Sequence, residues 1–170
     1  MATVHYIAYG SNLHPQRLTA RVPTARPVDV VELPGHKLAF HKRSVDGSAK
    51  CHVYTQQPPG CRAYGVLYEF HARHKRRLDM AEGNGYREAR ADYPLKDEGR
   101  VPYIYVARST HIDPRLVPYH WYKELVLAGA RYHGFPDDYI RSIEATPSMT
   151  DPDVNRSRTH EDLLKEMGHI

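Results

Sequence analysis

The sequence predicts an α+β fold, a mixed or antiparallel β-barrel-like sheet flanked by helices. Three features carry that expectation. β-branched and aromatic segments fill most of the first 70 residues, one helical segment follows them, and helical spacing dominates from His120 onward. Strands first and helices late argue against a doubly wound parallel sheet.

Val4 to Ala8 reads as a strand that stops at Gly10-Ser11-Asn12, and His14 to Ala20 as a short helix before Pro23 and Pro27. Val28 to Leu33, His36 to Arg43, Cys51 to Gln56 and Cys61 to Phe70 read as antiparallel-type strands. The breaks between them are Pro34-Gly35, Asp46-Gly47 and Pro58-Pro59-Gly60. His71 to Glu82 carries long unbranched side chains and ends at Gly83-Asn84-Gly85, a helix with its stop signal. Tyr86 to Tyr93 and Val101 to Ala107 read as a hairpin with Gly99 in its turn. Helices follow over His120 to His133 and Pro136 to Glu144. The polar stretch Thr150 to Arg158 reads as exposed, ahead of a last helix over His160 to Met167.

The length of 170 residues and the 41% hydrophobic content suit a single domain over residues 1–170. No segment approaches the roughly 20 apolar residues of a membrane-spanning helix, and no secretory signal opens the chain, so a soluble cytoplasmic protein is expected. Cys51 and Cys61 then read as free thiols. The net charge of +4 is spread along the chain, which argues for bland surface charge rather than a nucleic-acid patch.

Two constellations could carry chemistry. In Tyr9-Gly10-Ser11-Asn12-Leu13, glycine permits close backbone approach, and successive N–H groups at a helix start suit a carboxylate or an oxyanion. Taken alone, the loop reads more readily as a turn whose Ser11 or Asn12 caps the next helix. In Leu78-Asp79-Met80-Ala81-Glu82-Gly83, Leu78 and Glu82 share one helical face, so an inward Leu78 turns Glu82 inward too. Burial and the negative helix end both raise a carboxyl pKa, as a proton shuttle requires; alone, a terminal Glu-Gly reads as a solvated helix end.

Together these segments resemble the γ-glutamylcyclotransferase family. The matching stretches are Tyr6-Ile7-Ala8-Tyr9-Gly10-Ser11-Asn12-Leu13 and Leu78 to Gly83. A third set, Tyr122-Lys123, Gly129-Ala130, Gly134-Phe135-Pro136 and Tyr139, looks like the branch acting on γ-glutamyl amino acids. The resemblance spans Tyr6 to about Ile143. It implies Glu82 as the catalytic acid/base, and Tyr6, Ile7, Ala8, Tyr9, Gly10, Ser11, Asn12 and Tyr122 as substrate-binding residues. It also points to Tyr86 and Tyr105, which read equally well as packed tyrosines, and Tyr86 lies nearer Glu82 in sequence than the family pattern has it.

The reaction implied is closure of a γ-glutamyl amide to 5-oxoproline by attack of its own α-amine, which needs no enzyme nucleophile, no cofactor and no metal. His71 and His74 share a helix face without a convincing third ligand, and the basic run from His71 to Arg77 reads as a solvated face. The expected partner is a small γ-glutamyl compound, with no nucleic acid and no membrane. Trp121, Tyr122, Leu125 and Leu127, on more than one helix face, leave room for a homodimer. The alternatives are a γ-glutamylamine cyclotransferase and a non-catalytic small-molecule-binding member of the fold.

Overall fold

The computed structural model describes residues 2–55, 60–91, 93 and 101–170. Its five-stranded mixed sheet has the order β2 (Arg26–Pro34), β5 (Arg62–His71), β1 (Thr3–Ala8), β7 (Tyr103–Ala107), β6 (Tyr86–Arg90). The consecutive buried residues Tyr6, Ile7 and Ala8 suit the central place of β1, covered on both faces. β5 runs antiparallel to β1, whereas β7 runs parallel to it, with Tyr6 opposite Tyr103. Pro27 lacks an N–H and accordingly sits on edge strand β2, where the register shifts between Pro27 and Asp29.

The barrel-like closure expected from the sequence is corrected to an open sheet, because the terminal strands β2 and β6 are not hydrogen-bonded to each other. Strands β3 (His36–Arg43) and β4 (Ala49–Thr55) do not extend the sheet. Among the described strands they pair with one another and with no strand of the larger sheet, turning near Gly47, whose φ of 84° suits glycine. The hairpin lies against β5 and β7 instead. The expected Gly99 turn, the strand end at Gln56 and the Pro58-Pro59 break lie outside the described residues.

The helices are α1 (Pro15–Arg21), α2 (Lys75–Glu82), α3 (His120–Tyr132), α4 (Asp137–Glu144) and α5 (Val154–Glu166). Among them none is long and apolar enough to cross a membrane. Helix α1 is capped by His14, whose Nδ1 accepts from the Gln16 N–H, rather than by Ser11 or Asn12. In α3, Trp121, Tyr122, Leu125 and Leu127 are all buried within this chain, with α4 and α5 packed against the helix. Trp121 stacks on His160 at 3.8 Å between ring centroids. The faces that left room for a homodimer are therefore already covered.

The reading of 150–158 as an exposed polar stretch holds for most of its residues but not for Asp151 or for the start of the last helix. Asp151 is buried, accepting from Trp121 Nε1 at 2.8 Å and from two Arg156 nitrogens, and α5 already begins at Val154 with Asp153 as its cap. A buried polar residue whose partners come from two elements leaves no periodic trace in sequence.

Candidate active site

Strand β1 delivers the chain to Tyr9 beneath the start of α1, and the Leu13 N–H closes the loop on the Gly10 carbonyl at 3.1 Å. Gly10 is there for close packing: a Cβ on it would stand 3.0 Å from Cys51 Cβ and 3.5 Å from the Tyr122 hydroxyl. The close approach expected toward a ligand is made first toward β4. The N–H groups of Gly10, Ser11 and Asn12 form no hydrogen bond among the described residues.

Helix α2 brings the second half of the site. Leu78 is fully buried and seats the helix, and Glu82, one turn later on the same face, follows it inward with its side chain 15% exposed. Gly83, at φ 73°, ends the helix immediately afterwards.

The two halves meet through Asn12. Its Nδ2 donates to Glu82 Oε1 at 2.7 Å and reaches the Tyr6 hydroxyl at 3.3 Å, while its Oδ1 accepts from Arg21 Nη1 at 2.9 Å. Arg21 Nη1 itself stands 3.8 Å from Glu82 Oε1. Burial pushes the Glu82 carboxyl above its ordinary pKa, with Arg21, the Asn12 hydrogen bond, Arg17 and Lys42 pulling the other way.

A cavity of about 20 Å³, room for roughly one water, is lined by Tyr6, Tyr9, Gly10, Ser11, Asn12, Cys51, Glu82, Tyr86, Tyr105 and Tyr122. Its tyrosines are held by the protein. The Tyr9 hydroxyl donates to the Tyr105 carbonyl, Tyr86 donates to the Cys51 carbonyl at 2.6 Å, and Tyr122 accepts the Cys51 N–H at 3.0 Å. The Tyr105 hydroxyl donates to Asp79 of α2. Burial raises the Cys51 thiol to about 12, so it is an unreactive wall at neutral pH.

Two larger cavities lie elsewhere. One of about 920 Å³ includes Phe40, Tyr64 and Tyr139 in its lining, and one of about 690 Å³ includes His52, Arg87 and Ile104. Neither is lined by Glu82 or the loop. Size favours those two, but a buried carboxyl with a shifted pKa, beside open N–H groups, marks the small one.

The cavity thus gathers Glu82 with Tyr6, Tyr9, Gly10, Ser11, Asn12, Tyr86, Tyr105 and Tyr122. Ile7 and Ala8 do not line it; both are fully buried inside β1, opposite Leu67 and Val66 of β5. Asn12 is committed to Glu82, Tyr6 and Arg21. Sequence reasoning missed Cys51, Arg21, Arg17 and Lys42. For the two arginines a signal existed, since they lie four residues apart on the short helix that follows the loop.

A family model described as AIG2-like family matches residues 62–143, a span that contains Glu82 and Tyr122. Over 168 residues the chain is 27% identical to the Homo sapiens protein named gamma-glutamylcyclotransferase, covering 95% of this chain and 87% of that one. The Bos taurus protein of the same name is 26% identical over 166 residues, with the same coverage. These similarities support the γ-glutamylcyclotransferase family for this chain. A solved gamma-glutamyl cyclotransferase structure shares the fold at a TM-score of 0.80, with 24% identity, 97% of this chain and 99% of that chain covered. The open mixed sheet with its flanking helices is thus the γ-glutamylcyclotransferase-like fold.

Proposed function

We propose that this protein is a γ-glutamylcyclotransferase that converts γ-glutamyl amides, γ-glutamyl amino acids among them, to 5-oxoproline and a free amine. The observation that carries the reading is that Glu82 and the Tyr9–Asn12 loop line one cavity, with a carboxyl raised by burial and loop N–H groups that make no hydrogen bond among the described residues. A cavity of about 20 Å³ is smaller than a glutamyl group, so the tyrosine walls part when substrate enters.

Ionised Glu82 takes a proton from the substrate's α-ammonium, and the freed amine attacks the γ-carbonyl carbon. The C–N bond that closes the lactam forms as the carbonyl π pair moves to oxygen, where the Gly10 and Ser11 N–H groups receive the oxyanion. As the carbonyl re-forms, the bond to the leaving nitrogen breaks and Glu82 returns its proton there. The ring nitrogen's surplus proton then passes to the carboxylate and leaves with the product amine as ammonium. Attack within one molecule supplies much of the rate, through effective molarities of roughly 10⁵ M or more.

The test is 5-oxoproline release from γ-glutamyl-alanine, γ-glutamyl-lysine isopeptide and glutathione, with and without a chelator. Release from γ-glutamyl-alanine that survives chelation is the expected result. Release from the isopeptide alone would make the protein a γ-glutamylamine cyclotransferase, and release from none would contradict the reading.

A further inference from the structure

We propose that Arg21 is a positioning residue for this reaction: it holds the Asn12 side-chain amide in the orientation that donates to Glu82 Oε1, and so leaves Oε2 to exchange the proton. The inference rests on the cyclotransferase reading and adds the device that orients its acid/base group.

The amide of Asn12 has two nearly isosteric ends, and its partners decide which faces Glu82. A guanidinium only donates, so at 2.9 Å from Arg21 Nη1 the Asn12 atom must be the carbonyl Oδ1. Nδ2 then turns toward Glu82 Oε1 at 2.7 Å and the Tyr6 hydroxyl at 3.3 Å, which uses both of its hydrogens. Asn12 and Arg21 address the same carboxyl oxygen, and Glu82 Oε2 receives no hydrogen bond among the described residues. Without Arg21 the amide is free to flip. Oδ1 would then face Oε1, an arrangement that repels the ionised carboxylate and suits only the protonated acid.

The charges around Glu82 are few. Arg21 and Arg17 face it from α1, and Lys42 from β3. Arg17 is brought down to about 9 by burial and stays cationic at neutral pH, with its Nε buried and without a partner among the described residues. Tyr6, Tyr9, Tyr86, Tyr103, Tyr122 and Cys51 also surround Glu82, and burial raises all of them, so they remain neutral below pH 9. His160, which faces Arg17 and Arg21 from α5, is lowered to about 4 by burial. Glu82, raised by burial above the ordinary carboxylate range, is thus the group of this cluster left to exchange a proton.

The test is Arg21→Met, which keeps the aliphatic stem of a side chain 27% exposed, beside Arg21→Lys, which keeps a charge and a donor. Glu82 is followed by carbon-13 carboxyl NMR, a readout independent of turnover. In Arg21→Met the Glu82 titration and the acid limb of kcat/KM both move to higher pH, and kcat falls about 10- to 100-fold with KM nearly unchanged. Arg21→Lys restores most of kcat. A folded Arg21→Met protein whose limb stays in place overturns the inference, whether or not the Glu82 titration moves. Loss of the cyclotransferase reading would show separately, as no 5-oxoproline release by the parent protein from any of the three γ-glutamyl substrates, and would remove this inference with it.

Discussion

Gly129 of α3 is pressed against Leu13 at the end of the loop: a Cβ on Gly129 would stand 2.3 Å from Leu13 Cβ and 2.8 Å from the His14 backbone nitrogen. Helix α3 therefore sets the position of the loop that carries Gly10 to Asn12, and the helix can approach only because this residue has no side chain. Gly129→Ala should gain about 1 kcal/mol of helix propensity and lose more to overpacking, about 1–3 kcal/mol. Because the obstacle includes backbone, the loop has to shift. Urea unfolding should show net destabilisation, and 5-oxoproline formation should fall at least about 10-fold. An Ala variant as stable and active as the parent would show that the loop is not set by α3.

The Asp151–Arg156 pair anchors α5 to α3 through Trp121. The Asp151 side chain has no exposure, and it accepts from Arg156, Trp121 Nε1 and the Asp153 N–H. Its hydrogen bonds with Arg156 are the largest cause holding the carboxyl far below the usual range, with Trp121 and the Asp153 N–H adding to them. A depressed folded pKa contributes stability that is present above the unfolded value of about 3.9 and is lost as pH falls through the folded value. Asp151→Asn should cost about 3 kcal/mol at pH 7. The difference from the parent should begin to shrink below about pH 4, where the unfolded chain takes up the Asp151 proton, while the folded pair persists to lower pH. Denaturation midpoints at pH 7 and pH 3 measure both.

Much of this architecture is legible in the residues, and the exceptions have a common cause. β1, the Tyr9–Asn12 loop and α2 follow from local signals: an apolar run, Gly10 after Tyr9, and Leu78 and Glu82 one turn apart before Gly83. What local signals do not contain is pairing at long range. Nothing in His36 to Arg43 says that it pairs with β4 and with no strand of the larger sheet, and that choice is what leaves the sheet open. The contacts of Asn12 are not legible for the same reason. Its partners, Arg21 and Glu82, lie 9 and 70 residues away, and only the folded chain brings them to opposite ends of one amide.

Burial of Glu82 also has a stability consequence. A carboxyl whose folded pKa is raised contributes stability that is present below the unfolded value of about 4.3 and is lost as pH rises through the folded value. Glu82→Gln escapes that loss, since its carbonyl can still accept from Asn12. The variant should therefore melt at a higher temperature than the parent at pH 7, with the two converging below about pH 4. A Gln variant that melts lower at pH 7 would mean that the cations around Glu82 outweigh its desolvation.

The most direct measurement of the central claim is the turnover of that same variant on the best γ-glutamyl substrate of the parent protein. Glu82→Gln keeps the size and polarity of the side chain but cannot take the proton of the α-ammonium. Formation of 5-oxoproline should drop at least about 100-fold while substrate binding persists, and parent activity should fall at low pH as Glu82 becomes protonated. Near-normal 5-oxoproline formation by Glu82→Gln would contradict the assignment of Glu82 as the acid/base.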